Sequence, residues 1–181
     1  HSGTKPINSH PKTHYKDQCY MNTEINQLST QLGEALLSKK ATVTSAESCT
    51  GGGVAQAITD IAGSSQWFHC GYITYANHAK HNTLGVSAEL LAAQGAVCES
   101  VVIEMVRGAA HEAKADYAIA ISGVAGPTGG SSNKPVGTVW FACLGPQGVR
   151  TVKHQLAGDR KAVREQSVKI SLQQLLHQVT E

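Results

Sequence analysis

The sequence predicts an α/β fold: a mostly parallel sheet covered by helices on both faces, with one antiparallel pair added. Three observations predict it. Short β-branched or apolar runs alternate with stretches whose apolar residues recur at helical spacing. Glycine-rich breaks punctuate the alternation. Near the C-terminal end, two apolar runs flank Pro146-Gln147-Gly148, the pattern of a hairpin.

The elements follow in order. Residues 1–20 are polar, contain Pro6 and Pro11 and show no periodicity. They read as a disordered leader or a cloning remnant, with Met21 as the natural start and residues 21–181 as a single domain. Ile25, Leu28, Leu32 and Leu36 put an apolar face on a first helix. Thr42–Ser45 is a short strand, and Gly51–Gly53 break the chain before a helix that begins with Val54–Ile58. Gly71–Ala76 (GYITYA) is the next strand. Ser87 caps a helix carrying Leu90 and Leu91, and another covers 99–114 through Val101, Val102, Met105 and Ala109. Tyr117–Ser122 is a buried strand running into a Gly/Pro loop at 123–135. Val136–Leu144 and Val149–Gln155 form the hairpin. Asp159 caps a last helix with Val168, Leu172, Leu175, Leu176 and Val179 on its apolar face.

Composition excludes several functions. With 41% hydrophobic and 15% charged residues among 181, the chain is neither disordered nor a coiled coil. Its 18 glycines and 5% aromatics suit backbone-lined ligand sites better than base-stacking platforms. The net charge of +2 resides in the first twenty residues, through Lys5, Lys12 and Lys16 against Asp17. The remaining body is neutral and carries no electrostatic footprint for nucleic acid. The five cysteines are an odd number without CxxC spacing, and His78 and His81 lack a third ligand nearby, so no metal site is expected. No apolar run is long enough to span a bilayer, which makes a soluble cytoplasmic protein the default expectation.

Three polar or glycine-rich loops, at 46–53, 76–81 and 122–135, fall at strand ends, where ligands gather in such sheets. In Ala46-Glu47-Ser48-Cys49-Thr50-Gly51-Gly52-Gly53, a strand-end hydroxyl precedes glycines entering a helix. Free amides and the positive helix end could hold an oxyanion beside a serine nucleophile. A capped helix start, with Ser48 or Thr50 satisfying amides, explains the same residues. Serine needs a base. Tyr75-Ala76-Asn77-His78-Ala79-Lys80 offers Lys80, a base only if burial or nearby positive charge lowers its pKa, and otherwise a solvated surface lysine. His78 is the alternative base. The loop from Ser122 to Pro135 resembles an anion cradle with one lysine, Lys134, but lacks the Walker A spacing. Arg160 in Gly158-Asp159-Arg160 suits a phosphate or carboxylate, although a capping Asp159 beside a solvated arginine is the plainer reading. Cys49 is either a thiol activated at a helix start or a small buried residue.

Together, TSAESCTGGG, ITDIAGSS, GYITYANHAK, LGV, GAV, ISGVAGPTGG, KPVGTVW and GDR, in that order, closely resemble the CinA C-terminal domain family over residues 25–180. The resemblance implies a three-layer α/β/α sandwich and the activity of a nicotinamide-nucleotide amidase. Such an enzyme hydrolyses the carboxamide of nicotinamide mononucleotide to nicotinate mononucleotide and ammonia, without metal or cofactor. The family's Ser–Lys pair falls on Ser48 and Lys80, acting through an acyl-enzyme. Its nucleotide contacts fall on Thr50, Gly51, Gly52, Tyr75, Asn77, Ser122, Gly123 and Gly126. Arg160 and Lys134 are the phosphate candidates, with Arg164 next. The resemblance further implies the family's stand-alone form, a small-molecule nucleotide as the only partner besides other copies of the chain, and homo-oligomers of two or more subunits. Neither nucleic acid nor membrane is expected.

Two departures stand out. Thr128 in Gly126-Pro127-Thr128-Gly129-Gly130 and His78 in Asn77-His78-Ala79-Lys80 each replace the acid usual in the family. Lost carboxylates bear on the lysine, because nearby negative charge favours the ammonium. The alternative is a paralogue that binds a pyridine nucleotide or related ligand with little or no amidase activity.

Overall fold

A computed structural model describes residues 11–181, with side chains from Lys16 onward. Its elements run α1 (Pro11–Lys39), β1 (Val43–Glu47), α2 (Gly53–Thr59), a 3-10 turn (Ser64–Gln66), β2 (Tyr72–Ile73), α3 (Asn77–Leu84), α4 (Ala88–Gln94), α5 (Glu99–Ala113), β3 (Tyr117–Gly123), β4 (Thr138–Gly145), β5 (Gly148–Gln155) and α6 (Arg160–Thr180). Among the described residues no helix is long and apolar enough to cross a membrane.

The five strands lie in the order β2-β1-β3-β4-β5. β1 is parallel to both β2 and β3, whereas β4 is antiparallel to β3 and β5. The expected hairpin is therefore present, and only β4 runs against the other strands. Reversing twice brings the end of β5 to the same rim as the ends of β1, β2 and β3. Every chain segment that leaves this rim contributes to the site described below.

Helices cover both faces. On one, Leu32 and Leu36 of α1, Val54 and Ile58 of α2, and Leu172 and Leu175 of α6 bury against Val43, Ile119, Ile121, Val139 and Phe141. On the other, Leu84 of α3, Leu91 of α4 and Val101, Val102, Met105 and Val106 of α5 bury against Ala46, Ala118, Ala120 and Ala142. The small residues of this second face let α5 sit close to the sheet. α3 comes equally close to α5: a Cβ built on Gly108 would overlap the Leu84 carbonyl oxygen. The caps predicted from sequence form: Ser87 accepts from the Leu90 amide and Asp159 from the Ala162 amide.

The structure departs from expectation at three places. Residues 11–20 extend α1 back to Pro11 instead of lying unstructured, while residues 1–10 of that segment lie outside the described residues. Pro is tolerated in a first helical turn, and Lys16 and Gln18 favour a helix without adding to an apolar stripe, so periodicity could not report the extension. β2 covers two residues rather than the six of Gly71–Ala76, because this edge strand pairs with β1 only at Tyr72 and Ile73. Finally, the loop expected at 76–81 is the start of α3, whose sequence NHAKHNTL is too polar to show helical periodicity.

Candidate active site

β1 delivers Ser48 to the rim, where its amide donates to the Ile121 carbonyl at 3.0 Å, one step beyond the last β1–β3 pair. The chain then turns tightly. The Gly51 amide donates to the Ser48 carbonyl at 3.1 Å and the Gly53 amide to the Thr50 carbonyl at 3.0 Å. Gly51 and Gly52 adopt φ of 59° and 100°, values that favour glycine. The fully buried Glu47 closes this turn from below: its carboxylate accepts from the Val54 amide at 2.9 Å and the Ala55 amide at 3.1 Å. Those first-turn amides of α2 are therefore engaged, contrary to the expectation that the helix end is free. The Thr50 and Gly52 amides have no partner among the described residues.

α3 supplies the lysine. Lys80 is 0% exposed, and its Nζ lies 3.0 Å from Ser48 Oγ, 2.7 Å from the Thr74 carbonyl and 3.0 Å from the Tyr75 carbonyl. Burial disfavours the ammonium and pulls the pKa from 10.5 down to about 8. In the neutral amine two N–H groups suffice for the two carbonyls, which leaves the lone pair for the serine hydroxyl.

The pair lines a cleft of about 380 Å³. Of the residues expected in the site, Tyr75, Ser122, Gly123, Gly126 and Arg160 line it with Ser48 and Lys80. Arg160 bridges two of its walls, donating to the Gly126 carbonyl at 2.8 Å and to Tyr75 Oη at 3.0 Å. The structure places the others elsewhere. Gly51 and Gly52 shape the turn without lining the cleft, and Thr50 lies buried there with its hydroxyl unpartnered. Asn77 is exposed at the start of α3. Lys134 does not line the cleft either; its ammonium donates to the Gln94 carbonyl and ties the glycine loop to the end of α4. Arg164 is likewise engaged, through Nε to the Cys49 carbonyl at 3.0 Å.

The remaining candidates resolve similarly. His78 is exposed and outside the cleft, whereas Thr128 lines it. Cys49 also lines the cleft, but burial pushes its thiol up to about 11, which keeps it protonated near neutrality and removes the basis for a thiol nucleophile. Among the described residues no group of three or more His, Cys, Asp or Glu could hold a metal ion. Sequence reasoning missed Glu47. A carboxylate directly before Ser48 and a glycine turn was the available signal. It also missed the Thr74 and Tyr75 carbonyls, which no side-chain pattern announces.

These features define a three-layer α/β/α domain with a buried serine–lysine pair in a small cleft at one rim of its sheet. The chain belongs to the CinA C-terminal domain family, whose model matches residues 25–179. It is 55% identical over 157 residues to a protein of Escherichia coli K12 named nicotinamide-nucleotide amidohydrolase PncC, covering 86% of this chain and 95% of that one. A protein of the same name from Pseudomonas putida is 52% identical over 157 residues, covering 87% and 98%. Among solved structures, a competence-damaged protein (CinA) superfamily protein from Klebsiella pneumoniae 700603 superposes with a TM-score of 0.83 at 40% identity, covering 86% of this chain and 98% of that one.

Proposed function

We propose that this protein hydrolyses the carboxamide of nicotinamide mononucleotide to nicotinate mononucleotide and ammonia, with Ser48 as nucleophile and Lys80 as base. The observation that carries the reading is the 3.0 Å contact between Lys80 Nζ and Ser48 Oγ, made where burial favours the neutral amine. The names of relatives that match nearly their whole length support the substrate.

Neutral Lys80 takes the Ser48 hydroxyl proton as Oγ attacks the amide carbon, and the carbonyl electron pair moves onto oxygen. The unpartnered Thr50 amide, two residues after Ser48, donates to that oxyanion. As the intermediate collapses, the C–N bond breaks and the proton held by Lys80 passes to the leaving nitrogen, giving ammonia and a Ser48 ester. Water then attacks the ester carbon and gives a proton to Lys80, which returns it to Ser48 Oγ as the acid leaves. The positive pyridinium ring makes the carbonyl more electrophilic and disfavours an ammonium beside it. Arg160 has N–H groups beyond the two already engaged and stands at the cleft wall to bind the phosphate, giving binding energy remote from the reacting carbon.

The contact between Ser48 and Lys80 supports turnover over a binding module, and of the two positions that depart from the family's usual acid, Thr128 lines the cleft and His78 does not. Ammonia release by Ser48→Ala and Lys80→Met tests the reading. Both are expected to lose activity by several orders of magnitude with the fold retained. Wild-type turnover in either variant removes that residue from the chemistry.

A further inference from the structure

Arg164 lies one turn beyond Arg160 on α6 and approaches the nucleophile turn from outside the cleft. It lines an adjoining cavity of about 610 Å³ with Asp159 and Lys161. From there Nε donates to the Cys49 carbonyl at 3.0 Å, and Nη2 reaches the Thr50 carbonyl at 3.5 Å. Gly51 leaves room for this approach, since a Cβ there would lie 3.1 Å from Nη2. The planar fork of an arginine can span two successive carbonyls, which a lysine cannot.

A trans peptide is planar, so its C=O and N–H point in opposite directions. Drawing the Cys49 carbonyl toward α6 therefore turns the Thr50 N–H away from α6. That amide belongs to the second residue after the nucleophile and has no partner among the described residues. A cation on the carbonyl end also polarises the peptide and strengthens its N–H as a donor. We infer that Arg164 is a positioning residue that fixes the Cys49–Thr50 peptide so that the Thr50 amide binds the oxyanion of amide hydrolysis. The inference rests on the Ser48–Lys80 reading above. It departs from the role of phosphate anchor that the sequence suggests for Arg164.

Steady-state ammonia release from nicotinamide mononucleotide by wild type, Arg164→Met and Arg164→Lys separates the two roles. Loss of one oxyanion donor predicts that Arg164→Met lowers kcat on the order of 10²-fold. KM should stay within about threefold, because the interaction is made in the transition state. Arg164→Lys, able to reach one carbonyl, should recover part of kcat. The pH midpoint of all three proteins should coincide, since Arg164 is not among the groups that shift Lys80. A raised KM with kcat retained would make Arg164 a phosphate anchor and overturn the inference, as would unchanged kinetics. If Arg164→Met does not fold, Arg164→Gln keeps a donor over the turn and carries the same comparison. A folded wild type that releases no ammonia overturns the underlying reading, and the inference with it, whereas an active wild type beside unaffected variants sinks the inference alone.

Discussion

Gly108 of α5 faces the Leu84 carbonyl of α3 with no space for a side chain between them. Leu84 lies one helical turn beyond Lys80, so this contact sets how deeply the lysine is inserted beneath Ser48.

Gly108→Ala is accordingly expected to move α3 rather than merely fill space. Overpacking of this kind costs about 1–3 kcal/mol. The melting temperature should fall by several degrees, and ammonia release should fall further than stability alone explains. Thermal melting and turnover of the same preparation test this, and an alanine variant with native values for both would refute it.

Lys80 should govern the pH profile. With its pKa lowered by burial to about 8, the neutral base is the minor form at pH 7 and the major form above pH 9. kcat/KM is expected to rise about tenfold per pH unit below the midpoint and then level off. A profile flat from pH 6 to 9 would exclude Lys80 as the titrating base.

The same shift has a consequence for stability. The folded state holds the Lys80 proton less tightly than the unfolded chain, so between pH 8 and 10.5 the unfolded chain binds more protons and stability rises with pH. Relative to Lys80→Met, the wild type should gain about 3 kcal/mol across that window. Denaturant melts of both proteins at a series of pH values give the difference directly. Parallel curves would mean that the lysine is not desolvated in solution.

Glu47→Gln replaces one carboxylate oxygen with an amide donor opposite an α2 N–H. An unsatisfied buried group costs about 1–3 kcal/mol, and the slackened turn should depress kcat more than KM. Urea denaturation together with steady-state kinetics tests both parts. Native stability and native kcat in this variant would show that the carboxylate clamp is dispensable.

The fold was largely legible because local chemistry and global packing agree. Ser87 and Asp159 cap the helices they precede, and Pro146-Gln147 turns the hairpin. Glycines at 51 and 52 mark a turn that needs positive φ. α3 was not legible, since its short polar sequence buries only Lys80 and Leu84. For the same reason Lys80 could be named as a candidate but not shown to be buried: two backbone carbonyls and a hydroxyl meet its ammonium only after β2 and α3 fold together. Lys134 makes a contact that the sequence does not announce. Its residue type and its place in a glycine loop suggested an anion, and its ammonium also meets the Gln94 carbonyl, 40 residues away in sequence.

The double reversal through β4 leaves the Pro146-Gln147 bend at the far pole of the molecule, where both residues are open to solvent. Guest peptides spliced there, such as an epitope or a fluorophore-labelling tag, would sit a full strand length from the Ser48 hydroxyl. That bend is the natural handle for immobilising or imaging the protein from the pole opposite the cleft.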